Sequence, residues 1–130
     1  MDLASLFALA WPMLLKGTGY TLLFAVASMF LGLPIAGLVA LFRVFQVCGL
    51  SSVMALYVSV IRGTPLLVQI FIFYYGLPSV GIELSPITAG ILTLTLNVAA
   101  YMSETLRGSI NAVTQGQWQA GTSLGLTRDQ

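Results

Sequence analysis

Between Lys16 and Arg43 the chain runs for about 26 residues, 17–42, without a charge. At about 1.5 Å of rise per residue, a helix of that length exceeds the hydrocarbon core of a bilayer, about 30 Å thick. Two further stretches behave alike: residues 51–77, interrupted only by Arg62, and residues 87–106, uncharged until Glu104. Charged residues make up 7% of the chain and apolar ones 58%, against roughly a quarter charged in a soluble domain. A water-facing surface cannot be built from this, so an all-α integral membrane chain is expected, with transmembrane helices near 18–42, 53–77 and 87–106.

The remaining chain is short. Residues 3–15 are apolar but bounded by Asp2 and Lys16, the wrong flanks for a signal peptide, and no small-residue cleavage site follows. They read as an N-terminal interfacial helix, with Trp11 at headgroup depth and a bend at Pro12. Residues 107–130 turn polar and form a loop rather than a fourth span. Basic residues favour the cytoplasmic side. Arg43 in the first loop and Arg107 and Arg128 after the third span therefore place those segments inside, and the N-terminus and the 77–86 loop outside. Lys16 is the one dissenting charge.

Several function classes drop out. The net charge is +1 and the basic residues are scattered singly, which gives nucleic acid no patch to bind. With no histidine and with Cys48 as the only cysteine, neither a disulfide nor a His/Cys metal site can be assembled within the chain. Cys48 reads as a small apolar residue. No paired carboxylates stand at a useful spacing, and no Gly-x-x-x-x-Gly-Lys-Ser/Thr loop is present to hold a nucleotide. No catalytic residue, metal or cofactor is therefore assigned.

Within the spans, Ser28, Gly32, Ala36 and Ala40 recur every four residues and present a small-residue stripe for close helix approach, with a mild kink expected at Pro34. Arg62-Gly63-Thr64-Pro65 interrupts the second span. Pro65 cannot donate to the Ile61 carbonyl, so a bent or locally unwound helix is expected there. A guanidinium at Arg62 costs at least about 2.5 kcal/mol in lipid unless it faces protein or water. Asn97, Tyr101 and Glu104 follow at spacings of four and three and share one face of the third helix. Intramembrane charges are functional candidates by default. One reading has Arg62 facing the carboxylate of a zwitterion and Glu104 its ammonium, with Thr64, Asn97 and Tyr101 adding hydrogen bonds. A structural ion pair, or snorkelling of Glu104, is the bland alternative. Gln69 is a lone amide placed to bond across helices, and Tyr74 and Tyr75 suit an interfacial aromatic belt.

The stretch Gln117-Trp118-Gln119-Ala120-Gly121-Thr122-Ser123-Leu124-Gly125-Leu126 resembles the EAA loop of ATP-binding-cassette importer permeases, with Gln119 where Glu is usual and Gly121 where the second Ala is usual. Arg62-Gly63-Thr64-Pro65-Leu66-Leu67-Val68-Gln69, followed by Tyr74-Tyr75-Gly76-Leu77-Pro78, resembles the second-helix signature of the polar amino-acid branch of those permeases. The resemblance also takes in Lys16-Gly17-Thr18 and residues 97–108. It implies a cytoplasmic coupling helix, with Trp118, Gln119, Ala120, Gly121, Leu124, Gly125 and Leu126 contacting an ATPase. It further implies a multi-pass protein of the bacterial inner membrane whose partners are an ATP-binding-cassette ATPase subunit, a second permease copy or homologue, an extracytoplasmic amino-acid-binding protein and membrane lipid. The chain would then be the N-terminal part of one transmembrane domain, stopping within the EAA loop. Two other readings stay open from the residues alone: a fragment of an ion-coupled secondary transporter with Glu104 as proton carrier, and a small accessory membrane protein binding a partner through the Ser28–Ala40 stripe.

Overall fold

The computed structural model describes residues 3–127, with side chains from Phe7 onward except that of residue 9. Arg128, one of the residues used above for orientation, lies outside the described residues, as does Asp2. The described chain is helical: α1 (Leu3–Val44), α2 (Leu50–Gly63), α3 (Leu66–Phe71), a π-helical turn (Ile72–Gly76), a 3-10 turn (Leu77–Val80), α4 (Pro86–Asn111) and α5 (Gln115–Ser123).

The segment read as an interfacial helix runs into the first span without a break, and α1 is one helix of 42 residues that carries both Pro12 and Pro34 inside it. Nothing at Lys16–Gly19 removes a backbone bond, and the local hydroxyls turn inward on the helix itself. Thr18 Oγ1 donates to the Leu14 carbonyl at 2.9 Å and Thr21 Oγ1 to that of Gly17 at 3.0 Å. Such back-bonding satisfies polar side chains that lipid cannot. The segment Ala10–Val44 is long and apolar enough to cross a membrane, with a mean hydropathy of 2.3 over an 18-residue stretch within it. Its 35 residues span about 52 Å as a helix, so one end stands clear of the hydrocarbon or the helix tilts.

α4 meets all the rules for a deliberate start. Ser85 caps it, its Oγ accepting from the Thr88 N–H at 3.1 Å, and Pro86 occupies the first turn, where a missing N–H costs nothing. α4 packs chiefly on α1. The stripe read from the sequence is the contact surface: Ser28, Gly32, Ala36 and Ala40 are all buried, against Ala89, Thr93, Thr95, Ala99, Ala100 and Ser103 of α4. Register follows from three contacts. Phe24 lies against Gly90, Gly32 against Thr95 and Val98, and Arg43 pairs with Glu104. Both numbers rise together, so α1 and α4 run parallel.

Two parallel spans require the chain between them to return to its starting side. α2 and the segment Leu66–Val80 do this as a broken pair bent by 106°. That bend is far sharper than a proline kink in a continuous helix. Thr64 leaves the helix into extended backbone at φ −109°, ψ 138°, the conformation favoured ahead of proline, and α3 starts afresh after Pro65. α2 is held to α4 by Tyr57, whose hydroxyl donates to the Leu96 carbonyl at 2.6 Å, and by a small cluster of Val39, Val58 and Ala100 with Met54 and Ile61 packed on it.

Candidate functional site

The end of α2, the facing part of α4 and the end of α1 enclose an open recess of about 410 Å³, lined by Arg43, Ser59, Arg62, Tyr101 and Glu104 among others. Its size is that of a small-molecule site. Arg62 occupies the last turn of α2, and its guanidinium carbon stands 5.3 Å from the centroid of the Tyr101 ring. A cation over an aromatic face gains about 0.5–2 kcal/mol, yet it keeps the in-plane N–H donors free. Among the described residues, no carboxylate pairs with Arg62.

Glu104 is differently placed. Its Oε2 accepts from Arg43 Nη1, and its Oε1 accepts from Arg107 Nη2 and, at 3.0 Å, from Arg107 Nε. Both carboxylate oxygens are therefore committed to guanidinium groups. Around the recess three arginines face one glutamate, leaving a local charge of about +2 that favours an anionic group. Of the five residues singled out from the sequence, the structure brings Arg62, Tyr101 and Glu104 to one recess. Thr64 and Asn97 belong to a different cluster. Thr64 Oγ1 donates to the Val60 carbonyl at 2.7 Å, Gln69 Nε2 approaches Thr64 Oγ1 at 3.0 Å, and Asn97 Nδ2 faces Gln69 Oε1 at 3.5 Å.

Two residues carry more than their sequence context suggested. Arg43 reads only as a loop charge, because its partner lies 61 positions away. Gln69 is recognisable as a cross-helix amide but gives no sign that it spans the break at Pro65.

The second element is α5, which makes no packing contact of any extent with the other helices. Trp118, Leu124 and Leu126 are all exposed. Its C-terminus closes on Gly125 in the left-handed region at φ +79°. The Leu126 N–H donates to the Gly121 carbonyl at 3.1 Å and the Gly125 N–H to that of Thr122 at 3.0 Å, the paired bonds of a Schellman motif. Gly125 thus ends the helix. The two glycines should respond oppositely to alanine. At Gly125 the positive φ makes Gly125→Ala unfavourable by about 1–2 kcal/mol. At Gly121 an added Cβ would sit in ordinary contact, 3.8 Å from Leu126 Cδ1, so Gly121→Ala gains about 1 kcal/mol of helix propensity. Amide exchange across residues 115–126 reads both: slower in Gly121→Ala, faster in Gly125→Ala.

Residues 32–130 match the family described as binding-protein-dependent transport system inner membrane component. The chain belongs to that family. It is 44% identical over 118 residues to the probable amino-acid ABC transporter permease protein YckA of Bacillus subtilis (strain 168), covering 91% of this chain and 52% of the relative. It is 42% identical over 120 residues to the L-cystine transport system permease protein TcyB of the same organism, covering 92% of this chain and 51% of that one. A crystal structure of an amino acid ABC transporter with histidines superposes with a TM-score of 0.88 at 34% identity, covering 99% of this chain and 60% of the other. This inner membrane component therefore spans about half the length of the curated relatives it matches.

Proposed function

We propose that the chain forms the front part of a permease subunit in an ATP-driven importer of polar amino acids. The observation that carries this is the arginine-rich recess, where Arg62 has no carboxylate partner among the described residues and stands against Tyr101. Family membership and the amino-acid permeases among its relatives support the same class. In this reading Arg62 receives the substrate carboxylate and Tyr101 holds its guanidinium in place. Glu104 ties α1 to α4 and limits the positive charge that the substrate meets.

ATP hydrolysis belongs to a separate ATPase subunit of the ATP-binding-cassette type. That subunit docks on the exposed face of α5 through Trp118, Gln119, Ala120, Gly121, Leu124, Gly125 and Leu126. Closure of the ATPase shifts the permease between outward and inward states to the extent that the two states differ in their contacts. An extracytoplasmic amino-acid-binding protein delivers the substrate, and a second permease copy or a homologue completes the pathway. The subunit sits in the bacterial inner membrane with the N-terminus outside and α5 in the cytoplasm. The Arg43–Glu104–Arg107 cluster weighs against an ion-coupled transporter, since a carboxylate held by two guanidiniums is a poor proton carrier.

Uptake of radiolabelled amino acid by the assembled transporter tests the assignment. Losing a charge-assisted hydrogen bond of about 1.5–3 kcal/mol lowers uptake about tenfold or more in Arg62→Ala. An unchanged rate and affinity remove Arg62 from the site.

A further inference from the structure

The break between α2 and α3 takes backbone acceptors out of the helical hydrogen-bond ladder, and the Ile61 carbonyl keeps a contact from Thr64 Oγ1 at 3.5 Å. In an unbroken helix the Ile61 carbonyl would accept from residue 65, but Pro65 has no N–H. Thr64, in extended backbone, turns its own carbonyl out of the helical line as well. The side chain of Gln69 meets both. Its Nε2 lies 2.7 Å from the Ile61 carbonyl oxygen, 3.0 Å from that of Thr64 and 3.0 Å from Thr64 Oγ1. Gln69 is buried, 4% exposed, and its Oε1 faces Asn97 Nδ2 of α4 at 3.5 Å.

The two carbonyls it holds belong to the residues on either side of Arg62-Gly63. A Cβ on Gly63 would meet nothing within 4 Å, so no packing fixes that glycine from outside. Among the described residues, the Gln69 amide is the side chain that hydrogen-bonds across the break. We propose that Gln69 is a positioning residue: it clamps the last turn of α2 across the break and so fixes where Arg62 presents its guanidinium. The inference rests on the substrate role given to Arg62 above.

The test uses the complete transporter, reconstituted with its ATPase and binding protein, with Cys48→Ser as background. Gln69→Met keeps the length of the side chain and removes its donors. Spin labels at Val53 on α2 and Ile72 beyond the bend, both exposed, report the angle between the segments. The Gln69→Met distance distribution is expected to broaden or shift, and maximal uptake to fall roughly fivefold. In an Arg62→Ala background the same substitution should change uptake less than twofold, because both act through one group. A residue needed only for folding would multiply its loss onto that of Arg62→Ala. If Gln69→Met fails to assemble, Gln69→Asn, which keeps an amide one methylene too short, is read in the same two ways. An unchanged distance distribution, or a full fivefold loss persisting on Arg62→Ala, overturns the proposal. Should Arg62→Ala alone leave uptake intact, the substrate assignment fails on that variant, while the distance measurement still decides whether Gln69 holds the bend.

Discussion

Gly32→Leu separates α1 from α4, whereas Gly37→Leu, five positions along the same helix, leaves the pair standing. A Cβ at Gly32 would fall 2.9 Å from Val98 Cγ1, 3.1 Å from the Thr95 carbonyl oxygen and 3.2 Å from Val98 Cβ. Neither neighbour yields easily. The carbonyl is part of the α4 backbone, and a β-branched valine in a helix has essentially one rotamer. Alanine alone forces the helices apart by a few tenths of an ångström, and overpacking of this kind costs about 1–3 kcal/mol. Leucine adds three more carbons to the same gap. Lipid offers no hydrophobic penalty for separated helices, so the contact depends on close packing of small residues, and that packing is lost. We expect a loss of about 3 kcal/mol or more, above the usual range for point substitutions. At Gly37 an added Cβ meets nothing within 4 Å, so the matched control is not destabilised and gains up to about 1 kcal/mol of helix propensity. Thermal unfolding of the two variants in detergent, followed by size-exclusion profile, separates them. Equal behaviour would mean that the α1–α4 contact is not built on Gly32.

How much of this was legible in the sequence depended on the range of each interaction. The Ser28–Ala40 stripe was readable because helical periodicity alone puts those residues on one face, and its burial follows from the same spacing. The break at Pro65 was readable because a missing N–H is a local fact. Its angle was not, since 106° depends on Gln69 reaching back eight residues to Ile61 and on how Tyr57 and Val58 seat α2 on α4. That residues 3–44 run as one continuous helix has a related reason. Charge at Lys16 marks a change of environment, but it does not break backbone hydrogen bonds. In the recess, the pairing of Glu104 with Arg107 lay within helical reach, at a spacing of three. The pairing with Arg43 spans 61 positions and depends on α1 and α4 running parallel. Without it, Glu104 reads equally well as a substrate ligand.

That long-range pair has its own expected result. Glu104→Gln keeps the shape of the side chain and removes its charge, leaving Arg43 and Arg107 facing one another. The side chains of Arg43, Glu104 and Arg107 are 16%, 24% and 33% exposed, so water still screens part of the repulsion. Breaking a fully buried pair costs about 3–5 kcal/mol, and partial exposure lowers this to about 2 kcal/mol here. Arg43→Gln alone should cost less, because Glu104 retains Arg107. Adding Arg43→Gln to Glu104→Gln should then recover part of the loss, since it removes a cation that Glu104→Gln left without its carboxylate. A cycle of the two single variants and the double variant, read by thermal unfolding in detergent, is expected to give a coupling of about 1 kcal/mol. Additive losses would mean that the two side chains do not bind each other in the membrane. The recess adds a second consequence. Glu104→Gln raises its charge from about +2 to about +3, so anionic amino acids should gain in uptake relative to cationic ones, even as the protein itself becomes less stable.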